Sequence, residues 1–213
     1  MNNITIRRFI PMLAVASTLA VGAVVSNPAM AAGNAQDRVN VRGKIVSFSA
    51  NTLQVKSREG NTVTVALAEG YKVAGVARAS MGDIKPGSFV GIASLPKADG
   101  GDGALEVLVF PPAMKGLGEG SYAWDLKPKS NMTNATVANA VQGVDGHTVT
   151  VTYHGKEKKI AIPEGTPIVT LGAATADDLK PNAVVFIPAM RDAKGKLVTQ
   201  QVVVGNNGIV PPM

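Results

Sequence analysis

Beyond residue 31, apolar and polar residues alternate with a period of two along most of the chain. Leu53/Val55, Val63/Val65/Leu67, Val149/Val151/Tyr153 and Ile160/Ile162 each skip one position, filled by a polar residue or an alanine. That spacing lines up side chains on one face of a pleated strand. The runs are short and end at turn-forming clusters: Glu59-Gly60-Asn61, Pro86-Gly87, Gly100 to Gly103, Asp145-Gly146, His154-Gly155 and Lys194-Gly195. No stretch past the N-terminal segment carries the three-to-four-residue spacing of a long amphipathic helix. The pattern predicts an all-β protein.

The pattern also repeats. Residues 41–109 align with residues 137–204, with a single one-residue gap. Val41 falls on Val137, and Thr52-Leu53-Gln54-Val55 falls on Thr148-Val149-Thr150-Val151. After the gap, Asp83-Ile84-Lys85-Pro86 falls on Asp178-Leu179-Lys180-Pro181, and Val107/Val109 on Val202/Val204. Self-similarity at this scale marks two copies of one structural unit.

Each copy reads as one strand, a hairpin of two strands, a short helical turn and a second hairpin. The strands are expected at 41–48, 52–57, 62–67, 89–95 and 104–110, and again at 137–144, 148–153, 158–162, 184–190 and 197–204. Ser80 and Thr175 are placed to cap the helical turns, with Asp83 and Asp178 three residues on. Pro86 and Pro181 end them, and Gly87 and Asn182 tolerate the positive φ that the next turn requires. Five strands with a helix between the third and fourth is the order of an OB-type barrel. The expected architecture is two tandem five-stranded OB-like barrels, one over 32–110 and one over 133–213 with a short tail. About 70 residues make a marginal core, so the barrels should close and touch.

Residues 1–31 read as a secretory leader. Arg7-Arg8 precede a charge-free apolar run from Phe9 to Val25, and Ala29-Met30-Ala31 after Pro28 has the small-x-small form of a cleavage site. Cleavage after Ala31 would direct the protein to the periplasm or the exterior. No later apolar run approaches spanning length, so no membrane span is expected after cleavage.

Composition narrows the chemistry. The 213 residues include no cysteine, which excludes disulfides, thiol redox sites and Cys-ligated metals. The net charge of +6 falls to +4 when Arg7 and Arg8 are removed, and the positives are interleaved with acids. With few aromatics for base stacking, nucleic-acid binding is not expected. There is no nucleophile elbow, no H-E-x-x-H helix and no glycine-rich phosphate fingerprint in the right context. Asp177-Asp178 is the one adjacent carboxylate pair, and Asp178 already has a capping role. The chain is therefore expected not to be an enzyme, and no cofactor is expected.

Two groups of residues remain as candidates. The connecting segment 111–132 carries Glu119, Tyr122, the only tryptophan Trp124, and Asp125 on a Gly-rich stretch. Large aromatics beside carboxylates on a long loop suit a ligand-binding lip, and also suit a linker packed over the crease between barrels. His147 and His154 are the only histidines. Together with scattered methionines (Met81, Met114, Met132, Met190, Met213) they are the only soft or borderline metal ligands in the expected mature chain. Their spacing of seven is not that of a metal pair on one strand.

Val41-x-Gly43-x-Ile45-Val46, Asn51 to Lys56, Asp83-Ile84-Lys85-Pro86-Gly87, and Phe110 to Gly120 followed by Trp124-Asp125 together resemble the domain-of-unknown-function family 5666. The resemblance covers both copies and implies exported bacterial proteins built of small OB-like β-barrels. It supplies no catalytic residues. The expected function is a non-enzymatic binding or adaptor protein of the cell envelope, with an envelope protein, a glycan or a small polar ligand as its partner. Periplasmic metal handling through His147 and His154, and hydrolysis of envelope polymers, are the alternatives.

Overall fold

Strands form where the alternation predicts them, but the two copies trade strands. The computed structural model describes residues 38–143, 146–205 and 208–211, so the expected leader lies outside the described residues. The described residues belong to one compact unit and are all-β. The strands are β1 (Arg38–Ser49), β2 (Thr52–Ser57), β3 (Thr62–Arg78), β4 (Phe89–Pro96), β5 (Asp102–Val109), β6 (Gly120–Ala123), β7 (Asn131–Gly143), β8 (Gly146–Tyr153), β9 (Lys156–Pro163), β10 (Ile168–Ala173), β11 (Val184–Arg191) and β12 (Leu197–Gly205). Single 3-10 turns stand at Met81–Asp83, Pro112–Met114 and Ala176–Asp178. Two of these are capped as the sequence predicts: Ser80 and Thr175 backbone amides donate to Asp83 and Asp178 Oδ2, each at 2.8 Å. Gly87 and Asn182 follow with φ of 88° and 69°.

β1, β2 and β3 pair in order. Their ring is closed by strands of the other copy: β11 lies antiparallel to β1, and β12 lies parallel to β3. Reciprocally, β7, β8 and β9 are closed by β4, antiparallel to β7, and by β5, parallel to β9. Each five-stranded ring thus takes three strands from one copy and two from the other. The expectation of self-contained barrels over 32–110 and 133–213 is corrected accordingly. Burial follows the exchange. One core joins Ile45, Leu53, Val55 and Val65 to Val185, Ile187, Val202 and Val204. The other joins Val90, Ile92 and Val107 to Val137, Val149, Val151 and Ile160.

The cause is β3. Its 17 residues span about 55 Å at roughly 3.3 Å per residue, longer than a small ring needs. The second half carries the chain out of the first ring, so the following turn and hairpin land on the second. Ile84, after the first capped turn, packs in the second ring's core, and Leu179 packs in the first. Where the copies cross, β3 runs antiparallel to β10, with Val76 opposite Leu171. These two residues are counterparts in the repeat (171 − 76 = 95). A residue facing its own counterpart sits on an approximate two-fold axis. Around that axis a third core of Val76, Leu108, Val169, Phe186 and Val203 joins the rings.

The first strand of the repeat is corrected too. Ile45 opposes Val55 and Val137 opposes Val151, so Ile45 rather than Val41 is the counterpart of Val137. The β7–β8 hairpin is longer than β1–β2, and the extra residues absorb the shift.

Candidate functional site

The exchange creates a crease on the two-fold axis, and the two sides of the crease are unequal. Counterpart residues Glu106 and Gln201, and Leu108 and Val203, line a cavity of about 290 Å³ there, with Leu171 on the axis itself. On one side Arg42 pairs with Phe186, and the guanidinium carbon lies 5.1 Å from the Phe186 ring centre and 5.6 Å from that of Trp124. The same position on the other side holds Asn134 paired with Gly91. A small pair replacing a large one leaves the space. Gly91 has no room for a larger residue, because a Cβ there would stand 2.8 Å from Asn134 Oδ1 and 3.1 Å from the Phe110 ring.

The connecting segment roofs this space. Gly116, Gly118 and Gly120 take φ of 87°, 61° and 143°, conformations that glycine adopts without strain. β6 then adds antiparallel to β7, with Tyr122 opposite Met132. Asn134 Nδ2 donates to the Leu117 carbonyl at 3.3 Å and to the Tyr122 hydroxyl at 3.2 Å, holding the lip to the wall. Trp124 makes an edge contact with Tyr122 at 6.1 Å and a tilted one with Phe186 at 6.3 Å. Arg38 lies over Trp124 at 5.9 Å. Burial pushes the Tyr122 phenol above its ordinary pKa, against the charge of Arg38, so it remains a neutral hydroxyl.

Of the four expected lip residues, Tyr122 and Trp124 line the cavity; Glu119 and Asp125 do not. Asp125 Oδ1 accepts from Arg42 at 2.7 Å and from Asn40 Nδ2 at 3.1 Å, and its carbonyl accepts from Arg58 at 2.9 Å. Burial alone would raise the Asp125 pKa. The hydrogen bonds from Arg42 and Asn40 outweigh burial and hold the carboxyl below its usual range. Asp125 thus anchors the segment to β1. Glu119 meets His154: its Oε1 accepts from the His154 amide at 3.0 Å, and its carbonyl accepts from Nε2 at 2.9 Å.

The two histidines stand at opposite ends of β8. His147 is opposite Ile162, while His154 occupies the positive-φ turn after the strand. Seven residues of extended chain separate them by about 23 Å. Among the described residues, no group of three or more His, Asp or Glu gathers as a metal site.

The ring seams form a second unequal pair. Where β5 meets β9, Lys158 Nζ lies 2.6 Å from Asp102 Oδ2, Ser94 Oγ donates to the same oxygen at 2.8 Å, and Lys158 reaches Thr133 Oγ1 at 3.4 Å. The counterpart positions at the other seam are Val63, Leu197, Ala189 and Val41, all apolar.

Sequence reasoning missed Arg38, Leu108, Phe110, Asn134 and Phe186, because only the exchange brings them together. Met114 and Met132 look scattered in the sequence yet meet in the cavity wall. Among the described residues, no helix is long and apolar enough to cross a membrane. Comparison of the chain with protein-family models, curated proteins and solved structures finds no match.

Proposed function

We propose that the chain is an exported, non-enzymatic binding module of the bacterial cell envelope, as the resemblance to family 5666 implies, and that its ligand occupies the crease cavity. The observation that carries this is a roofed cavity at the junction of two rings, lined by aromatic and aliphatic side chains with a few polar groups. Such junctions are common places for ligands. At its rim Leu117 and Tyr122 remain 53% and 39% exposed, although both are large. Side chains of that size left in solvent beside a hollow are accounted for when a ligand covers them. The walls favour a largely apolar ligand over the glycan or small polar ligand among the partners expected from the sequence.

Trp124 is the only tryptophan and lies in the lining, so its emission reports occupancy directly. The chain is titrated with small amphiphiles while Trp124 emission and thermal stability are followed. A saturable change is expected, and Gln201→Phe, which fills the cavity from the wall, should remove it. Binding unaffected by Gln201→Phe in a folded variant would place the ligand elsewhere and overturn the reading.

A further inference from the structure

The geometry points to a medium-chain acyl carboxylate as the ligand class of the crease cavity, an inference that rests on the binding reading above. The body of the ligand follows from the walls. Leu108, Phe110, Met114, Met132, Leu171 and Val203 offer it no hydrogen bonds. Two of the six are methionines, whose unbranched side chains adapt to a flexible chain better than to one rigid shape. A volume of about 290 Å³ holds about ten groups of ~30 Å³ each, the size of a ten-carbon chain.

The head of the ligand follows from the mouth. The exposed guanidinium of Arg38 borders the cavity and lies against Trp124. The Tyr122 hydroxyl accepts from Asn134 Nδ2, which leaves its own hydrogen to donate. A cationic fork and a hydroxyl donor on one rim recognise an acceptor carrying negative charge. Glu106 also lines the cavity, with its Oε1 buried. Among the described residues, Arg38 is the one cationic side chain in the lining. An acyl carboxylate would lay its chain in the hollow and its carboxylate against Arg38 and Tyr122.

The test uses the chain without its leader and three probes of one tail length: decanoate, decanol and decyltrimethylammonium, each below its micelle concentration. Calorimetry and Trp124 emission give the affinities. Decanoate should bind at least about tenfold more tightly than decyltrimethylammonium, the scale of one charge-assisted contact. Arg38→Gln, a change at an exposed side chain, should weaken decanoate by about tenfold and leave decanol within about twofold. Butyrate and octadecanoate should both bind more weakly than decanoate. Equal affinity for decanoate and decyltrimethylammonium, or an Arg38→Gln variant that binds decanoate as the parent does, would overturn the carboxylate assignment. If decanol binds and decanoate does not, the headgroup assignment falls while the cavity reading stands. If no probe binds, both fall.

Discussion

Replacing the charged seam of the second ring with the residues of the first is a controlled experiment supplied by the repeat. The lysine and aspartate of the pair are 21% and 13% exposed, and Ser94 and Thr133 are buried. Removing one partner leaves a half-buried charge without its counter-ion. That typically costs a few kcal/mol, and the residual exposure puts Lys158→Val near the low end, at about 2 kcal/mol. The triple variant Ser94→Ala, Asp102→Leu, Lys158→Val copies Ala189, Leu197 and Val63 of the other seam, where the same positions pack as core. Its desolvation cost disappears along with its attraction, so it should lie within about 1 kcal/mol of the parent or above it. Urea unfolding followed by circular dichroism and Trp124 emission reads both variants. With a slope of about 2 kcal/mol per molar, the single variant should lose about 1 M in midpoint and the triple should recover it. The pair also sets a pH dependence. Burial raises the Asp102 pKa, but the hydrogen bonds from Lys158 and Ser94 and the lysine charge outweigh it, and the net shift is downward. A lowered carboxyl pKa contributes stability above the unfolded value of about 3.9 and loses it as pH falls through the folded value. The triple variant should therefore lose less stability than the parent below about pH 4. A single variant as stable as the parent, or a triple variant no better than the single, would refute the reasoning.

Two further outcomes are expected. Gly91→Ala forces a Cβ against Asn134 Oδ1 and the Phe110 ring; it should cost about 1–3 kcal/mol in urea unfolding and alter Trp124 emission, because Asn134 holds the lip. Cutting the chain in the Gly-rich connection, into 32–116 and 117–213, should give two fragments that are each unfolded by circular dichroism and that refold only when mixed, since each ring needs both.

Much of this was written locally in the sequence, and the rest was not. The alternation of Leu53/Val55 and Val149/Val151, the caps Ser80–Asp83 and Thr175–Asp178, and the positive-φ residues Gly87 and Asn182 each report a decision made within a few residues. The exchange is not such a decision. It depends on β3 continuing past Leu67 through Gly70, which has φ of 72°, and on β10, whose run Ile168 to Ala173 is interrupted by Gly172. Glycine in a strand hides the alternation, so 68–78 and 168–173 do not read as strands. These are the segments that cross at the axis. The repeat hid the exchange further, because β11 and β12 satisfy β1 and β3 with the same residue pattern that β4 and β5 would. For the site, Tyr122 and Trp124 were legible as large aromatics on a Gly-rich loop. Asp125 and Glu119 were not separable from them, since only the fold turns one toward Arg42 and the other toward His154. With no cysteine to staple either copy, each ring's core is completed by strands of the other copy.

The same absence makes the strand exchange directly measurable. Lys44 of β1 lies opposite Val184 of β11. If each copy closed on itself, Lys44 would instead oppose Phe89, the counterpart of Val184 (184 − 95 = 89). Opposed residues of an antiparallel pair have Cα atoms about 4.5–5.5 Å apart, within the reach of a disulfide. In a chain with no other thiols, Lys44→Cys with Val184→Cys should oxidise quantitatively within the monomer, and Lys44→Cys with Phe89→Cys should not. A disulfide in the second pair and none in the first would show self-contained barrels and remove the crease on which the binding site depends.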